Sequence, residues 1–158
     1  MTDVENVSAH SVKAWLLAIR PKTFGVAVAP VLASLAVCLS DTGFINPVTA
    51  ALTALLAIVM QAITNMENDS GYTKRKAERT NRKGLPRATS LGLLSIKEVE
   101  IGILIASLIG VAITIYFIYL THWFFLLVTV ASIAAAYLYM GGPRPIAYTP
   151  YGEIVVFF

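Results

Sequence analysis

Apolar residues occur in long charge-free stretches that alternate with short polar turns and one long polar segment. These stretches cover residues 23–40, 42–66 and 101–143. As a helix rising 1.5 Å per residue, the third would measure about twice the ~30 Å thickness of the hydrocarbon layer. Thr121 and His122 lie near its middle and divide it into two helices. The pattern predicts an all-α fold, a polytopic transmembrane helix bundle, with spans at about 23–40, 47–66, 101–120 and 123–140.

The segments outside these spans carry separate predictions. The polar residues 1–10 predict a disordered N-terminal tail, and Ser11 is placed to cap a short helix on the membrane surface. Residues 67–100 form the long polar loop, and Ser95 lies three residues before Glu98, as in a capping box. The apolar segment 154–158 is too short to cross a bilayer. We therefore expect an incomplete transmembrane domain at 11–158, with four helices and the start of a fifth.

Composition supports a membrane protein. The chain is 57% hydrophobic and 13% charged, and its mean hydropathy is +0.73. A soluble domain has about 25% charged residues. The polar residues here are too few to cover a soluble core of this size, so the bilayer is the expected environment.

The placement of basic residues predicts the orientation of the chain in the membrane. All 12 Lys and Arg residues fall on one side of the predicted layout. The positive-inside rule then places the N-terminus and the long loop in the cytoplasm, in a multi-pass protein of the inner membrane. The net charge of +3 is thus explained by topology, and we predict no nucleic-acid partner. The basic positions are Lys13, Arg20, Lys22, Lys74, Arg75, Lys76, Arg79, Arg82, Lys83, Arg87, Lys97 and Arg144.

Polar residues recur at helical spacing where the second span reaches the long loop. Asn65, Asn68, Asp69 and Tyr72 are spaced i, i+3, i+4 and i+7. If the helix continues this far, they form one polar stripe. A carboxylate beside amide oxygens suits a hard divalent cation such as Mg²⁺.

The loop after this stripe supplies arginines. Arg82 and Arg87 flank the Gly84–Pro86 turn. A guanidinium can bind a phosphate through two parallel hydrogen bonds. The stripe and the arginines together suggest a diphosphate site near the bilayer surface. The alternative is an ordinary helix end followed by a solvated basic loop that binds anionic lipid.

Three segments of the chain resemble parts of a known family. The stripe from Asn65 to Tyr72, followed by Glu78, Arg82 and Arg87, resembles the first aspartate-rich motif of the UbiA-type intramembrane prenyltransferases. Residues 19–23 (IRPKT) and 141–148 (GGPRPIAY) are similar to segments of its 1,4-dihydroxy-2-naphthoate polyprenyltransferase branch. The resemblance covers the chain from about Trp15 to its end.

The resemblance implies a UbiA-like fold in which helices surround a cavity, with this chain as the N-terminal half of the domain. It implies Mg²⁺-dependent transfer of a polyprenyl group from its diphosphate to an aromatic acceptor, 1,4-dihydroxy-2-naphthoate or a similar compound, in quinone biosynthesis. The implied partners are these two substrates, the lipid bilayer and the C-terminal half of the domain.

The resemblance also implies roles for individual residues. The metal ligands would be Asp69, Asn68 and Glu78. The diphosphate would be held by Arg82 and Arg87, which with Asp69 form the catalytic set. The remaining substrate-binding candidates are Asn65, Lys22, Tyr72, Tyr139, Arg144 and Tyr148.

Several of these positions have a second interpretation. The family places an aspartate where Tyr72 stands, and a phenol is a poor Mg²⁺ ligand at neutral pH. Lys22 could instead anchor its helix at the headgroups, and Tyr139 could be an interfacial aromatic residue.

Two other functions are compatible with the sequence. The chain could be an inactive, truncated or structural membrane fragment. It could also be part of a transporter, although its carboxylates lie at the membrane edge rather than near the midplane, where transporters bind their ions.

Overall fold

The computed structural model describes residues 7–76 and 86–152, and the regular structure within these ranges is helical. The predicted all-α class is confirmed. Two 3₁₀ turns, Pro21–Thr23 and Ile146–Tyr148, accompany the α-helices. The helices are α1 (Val12–Ile19), α2 (Phe24–Thr42), α3 (Pro47–Lys74), α4 (Ile96–Leu120) and α5 (Phe124–Met140).

The longest helices have the dimensions of membrane spans. By length and composition, three helical stretches could cross a bilayer: Val12–Thr42, which includes α1 and α2, then α3 and α4. Helix α5 is apolar as well, with 17 residues. Large apolar side chains such as Leu104 and Leu108 point outward from α4 and are 59% and 61% exposed. Lipid rather than water suits such a surface, and the chain is a multi-pass membrane protein.

Helix boundaries follow local capping chemistry. The Ser11 hydroxyl accepts a hydrogen bond from the Ala14 N–H at the start of α1. At α4, Ser95 Oγ accepts from the Glu98 N–H, and Glu98 Oε2 accepts from the Ser95 N–H. The predicted capping box is therefore confirmed, and it satisfies two donors that a helix N-terminus otherwise leaves open.

Helix occupies both ends of the predicted loop 67–100. Helix α3 continues to Lys74, and α4 begins at Ile96. The polar end of α3 stays helical because much of it is buried against neighbouring segments, as Asp69 and Ser70 show with 0% exposure. The condition for the polar stripe is met.

A buried hydrophobic cluster lies at the polar end of the bundle. A cluster of buried residues joins α1, α3, the segment 86–95 and α4. Val7 packs against this cluster, and the His10 N–H donates to the Leu93 carbonyl, so residues 7–10 of the predicted tail contact the bundle. Residues 1–6 lie outside the described residues. The cluster consists of Ala14, Ala18, Met66, Ala88, Leu94 and Val99.

Candidate functional site

Asp69 binds the backbone of Ala88 and Thr89, two residues within the predicted loop 67–100. Its side chain is fully buried. Oδ2 accepts the Ala88 N–H at 2.9 Å, and Oδ1 accepts the Thr89 N–H at 2.9 Å. The Thr89 hydroxyl donates to Oδ1 as well. Three donors therefore surround this carboxylate, as a buried charge requires.

The residues held by Asp69 open a compact turn. The Leu91 N–H donates to the Arg87 carbonyl at 3.1 Å, and the Leu93 N–H donates to the Ala88 carbonyl at 2.9 Å. Asp69 therefore does for this turn what a capping carboxylate does at a helix N-terminus. Thr73, one helical turn after Asp69, adds hydroxyl contacts to Thr89 at 2.7 Å and to Ser90 at 2.8 Å.

This geometry bears on the predicted metal site. Both oxygens of Asp69 accept protein hydrogen bonds in a fully buried position, so this arrangement offers no exposed Asp69 oxygen to Mg²⁺. Asn68 is half-buried on α3, while Glu78 lies outside the described residues. Within residues 7–76 and 86–152, the His, Cys, Asp and Glu side chains form no group of three that could hold a metal ion. The described residues do not fit a metal ion held by Asp69.

Arg87 and two tyrosines form the centre of the site. The guanidinium carbon of Arg87 lies 3.6 Å from the centroid of the Tyr72 ring, a short cation–π distance. Tyr148 meets Tyr72 edge to face, with 6.1 Å between the ring centroids. Arg87 is 5% exposed. Three predicted site residues from α3, the segment 86–95 and the turn after α5 are thus brought together.

Arg75 belongs to the same group, although it is not among the predicted site residues. Its guanidinium donates to the Gly71 carbonyl at 3.1 Å and to the Met140 carbonyl at 2.8 Å. It also donates to the Gly142 carbonyl, and its guanidinium carbon lies 6.0 Å from the Tyr148 ring centroid. Arg75 therefore ties the end of α3 to the end of α5. The four-residue spacing from Gly71 was visible in the sequence, but the contacts with Met140 at the end of α5 and with Gly142 just after it were not.

Asn65 binds the junction between α1 and α2. Its amide nitrogen donates to the Ile19 carbonyl and to Thr23 Oγ1, each at 2.8 Å. Lys22 is exposed on the same 3₁₀ turn. Asn65 therefore fixes the segment that carries Lys22, while its own side chain is 5% exposed.

Two further predicted residues lie at the end of α5 and in the loop after it. Arg144 is exposed in the loop after α5, and Tyr139 is half-buried near the end of that helix. Arg82 lies outside the described residues, so the predicted arginine pair is described only at Arg87.

A cavity of about 420 Å³ lies among α3, α4 and α5, and its walls are largely apolar. Glu67 lines it and is 5% exposed. Lys74 and Glu100, which form an ion pair, line it as well. With 3.6 residues per turn, Ile63 and Glu67 lie on the opposite face of α3 from Tyr72. The cavity is therefore separate from the Arg87 centre.

Comparison with known proteins gives this geometry a context. The chain is 30% identical over 154 residues to the 1,4-dihydroxy-2-naphthoate octaprenyltransferase of Escherichia coli. It is similar to the bacterial 1,4-dihydroxy-2-naphthoate octaprenyltransferases. The proteins of that name from Haemophilus influenzae and Bacillus subtilis are each 30% identical, over 159 and 95 residues. The resemblance drawn from the sequence motifs is confirmed.

These alignments cover most of this chain but only part of each relative. The match to the Escherichia coli protein covers 92% of this chain and 50% of that protein. For the Haemophilus influenzae protein the shares are 94% and 51%, and for the Bacillus subtilis protein 60% and 30%. The chain thus spans about half the length of the Escherichia coli and Haemophilus influenzae relatives. No family model matches the chain, and no solved structure matches it.

Proposed function

We propose that this chain forms the diphosphate-binding part of a membrane enzyme in quinone biosynthesis. The enzyme transfers a polyprenyl group from its diphosphate to an aromatic acceptor such as 1,4-dihydroxy-2-naphthoate. The observation that carries the proposal is the alignment of 92% of the chain with an octaprenyltransferase of that specificity. The Arg87 centre supports it with a cation and aromatic rings at one end of the bundle.

The proposed reaction separates charge. The bond between the allylic carbon and the diphosphate oxygen breaks, and its electron pair leaves with the diphosphate. A carbon of the acceptor ring attacks the cation-like allylic carbon, a carbon–carbon bond forms, and the ring then loses a proton. Fixed positive charge beside the leaving group stabilises this transition state.

Arg87 is the described residue best suited to the leaving group, because guanidinium N–H groups match phosphate oxygens in pairs. Tyr148, which is 49% exposed, offers an aromatic face to the developing cation. Lys22 and Arg144 add positive charge on the same side of the membrane, and Arg82 is assigned to the diphosphate by the resemblance.

Magnesium dependence stays a prediction. Because Asp69 offers no exposed oxygen, no step is assigned to a metal at that carboxylate.

The proposed orientation places the N-terminus and the Arg87 centre at the cytoplasmic face of the inner membrane. One-sided placement of the basic residues supports it.

A chimera tests the proposal. Residues 1–158 replace the matching half of the Escherichia coli relative, and its membranes are assayed for prenyl transfer from an allylic diphosphate to 1,4-dihydroxy-2-naphthoate. We expect turnover, and we expect Arg87→Ala to reduce it about 10- to 100-fold because a charged hydrogen-bond donor is lost. Lys97→Ala, an exposed cation at the start of α4, is the matched control and should leave the rate unchanged.

The chimera's insertion and thermal unfolding are measured in parallel. A chimera that inserts and unfolds cooperatively, yet neither transfers a prenyl group nor binds inorganic diphosphate, would contradict the proposal.

A further inference from the structure

The carboxylate of Asp69 is hydrogen bonded to the backbone next to Arg87. Its two oxygens accept the N–H groups of Ala88 and Thr89, the two residues that follow Arg87. Because Asp69 is fully buried, losing these bonds would leave a charge and two donors without compensation. This network fixes where the turn begins relative to α3, and hence the position of the Arg87 Cα.

Tyr72 contacts the guanidinium end of Arg87. It lies three positions after Asp69 on α3, so the two side chains project from neighbouring faces of the helix. Its ring lies 3.6 Å from the guanidinium carbon of Arg87. Stacking occupies a face of the guanidinium, whereas its N–H groups point outward in the guanidinium plane, the direction in which phosphate oxygens bind. Tyr72 therefore sets the plane of the guanidinium.

We propose that Asp69 and Tyr72 are positioning residues for Arg87, the first fixing its backbone and the second its guanidinium plane, so that Arg87 is pre-organised to bind a diphosphate. The proposal rests on the proposed function for the identity of the ligand. Its structural half depends only on the contacts among these three residues. It gives Asp69 and Tyr72 a purpose that requires no metal contact.

The two roles predict different consequences of substitution. In Asp69→Asn, the side-chain NH₂ group would face a backbone N–H, so at least one hydrogen bond becomes a donor–donor contact. Tyr72→Phe keeps the ring face, whereas Tyr72→Leu removes it. Thr89→Val removes one of the three donors to Asp69 and keeps both backbone N–H groups, which makes it a milder variant if Asp69→Asn folds poorly.

The experiment uses the purified full chain in detergent micelles and two readouts. Hydrogen–deuterium exchange reports the amides of Ala88 and Thr89, and calorimetric titration reports binding of inorganic diphosphate with and without Mg²⁺. Matched controls are Asp41→Asn and Tyr119→Leu, both at exposed positions away from the site.

We expect Asp69→Asn to speed exchange of the two amides about tenfold or more and to weaken diphosphate binding by a similar factor. The ratio of affinities with and without Mg²⁺ should stay at its wild-type value. Tyr72→Leu should weaken diphosphate binding while leaving the amides protected. Tyr72→Phe, which keeps the ring, should bind diphosphate as the wild type does. Thr89→Val should show a smaller loss of protection than Asp69→Asn.

Unchanged amide exchange in both Asp69→Asn and Thr89→Val would overturn the proposal. So would loss of the Mg²⁺ effect in Asp69→Asn with the amides still protected, because that result identifies a metal ligand. If the amides respond as expected but the wild-type chain binds no diphosphate, the proposed function fails, and the fixing of the Arg87 backbone by Asp69 is supported without it.

Discussion

Gly71 of α3 lies directly against the last residue of α5. A Cβ atom added to Gly71 would be 2.8 Å from the carbonyl oxygen of Met140 and 3.2 Å from its Cβ. The same carbonyl accepts a hydrogen bond from Arg75. The two helices can therefore approach closely because Gly71 has no side chain, as is common where membrane helices pack tightly.

Gly71→Ala should separate the ends of α3 and α5. The contact is with backbone, which cannot rotate away, so we expect a loss of about 1–3 kcal/mol in the free energy of unfolding. Gly25→Ala is the control, because Gly25 lies in α2 with nothing within 4 Å of an added Cβ. Unfolding in detergent micelles is followed by circular dichroism, and equal stability of the two variants would argue against the close contact.

Asn65 should respond differently to two substitutions. Asn65→Ala removes the hydrogen bonds to the Ile19 carbonyl and to Thr23. Asn65→Asp also places carboxylate oxygens against the Ile19 carbonyl oxygen, where neither side can donate. We expect about 1–2 kcal/mol of destabilisation for the first and more for the second. An aspartate variant as stable as wild type would show that Asn65 is not a donor here.

The helical framework could be predicted because membrane thickness fixes the length of an apolar run. Charge-free stretches located α2 to α5, and the Ser95–Glu98 spacing located the start of α4. Whether α3 stays helical through its polar end could not be predicted from the sequence, because that helical state depends on burial by residues distant in sequence.

The contacts within the site were beyond local pattern. Asp69 lies 19 residues before Ala88, whose N–H it accepts, and no periodicity connects them. A carboxylate is suited to binding a metal ion as well as to accepting hydrogen bonds from backbone N–H groups. Likewise, Tyr148 reaches Tyr72 only because α3 and α5 end side by side. Residue type could nominate candidates, but tertiary packing decides which partners they have.

Orientation in the membrane can be tested by cysteine labelling. In a Cys38→Ser background, cysteines replacing Asp41 or His122 should react with an impermeant maleimide in intact cells. A cysteine replacing Lys76 should react only after lysis, because the basic residues flank the cytoplasmic side. Labelling of the Lys76 position in intact cells would reverse the predicted topology.

A buried hydroxyl pair offers a last test, of how α4 and α5 are held together. Thr114 Oγ1 and Thr129 Oγ1 lie 2.7 Å apart, and Thr114 is fully buried. A Thr→Val change keeps the shape of the side chain while removing its hydroxyl. Since each hydroxyl loses its cross-helix partner when the other is replaced, the two substitutions should be non-additive. In membrane proteins such interhelical bonds contribute about 0.6 kcal/mol.

The double-mutant cycle of Thr114→Val and Thr129→Val measures that coupling through the free energy of unfolding in micelles. Thr53→Val combined with Thr129→Val is the matched control, because the Thr53 hydroxyl donates within α3, to the Thr49 carbonyl. The control pair should be additive, whereas the Thr114–Thr129 pair should show a coupling of about 0.6 kcal/mol. Additivity in both cycles would mean that the α4–α5 contact is maintained by apolar packing alone.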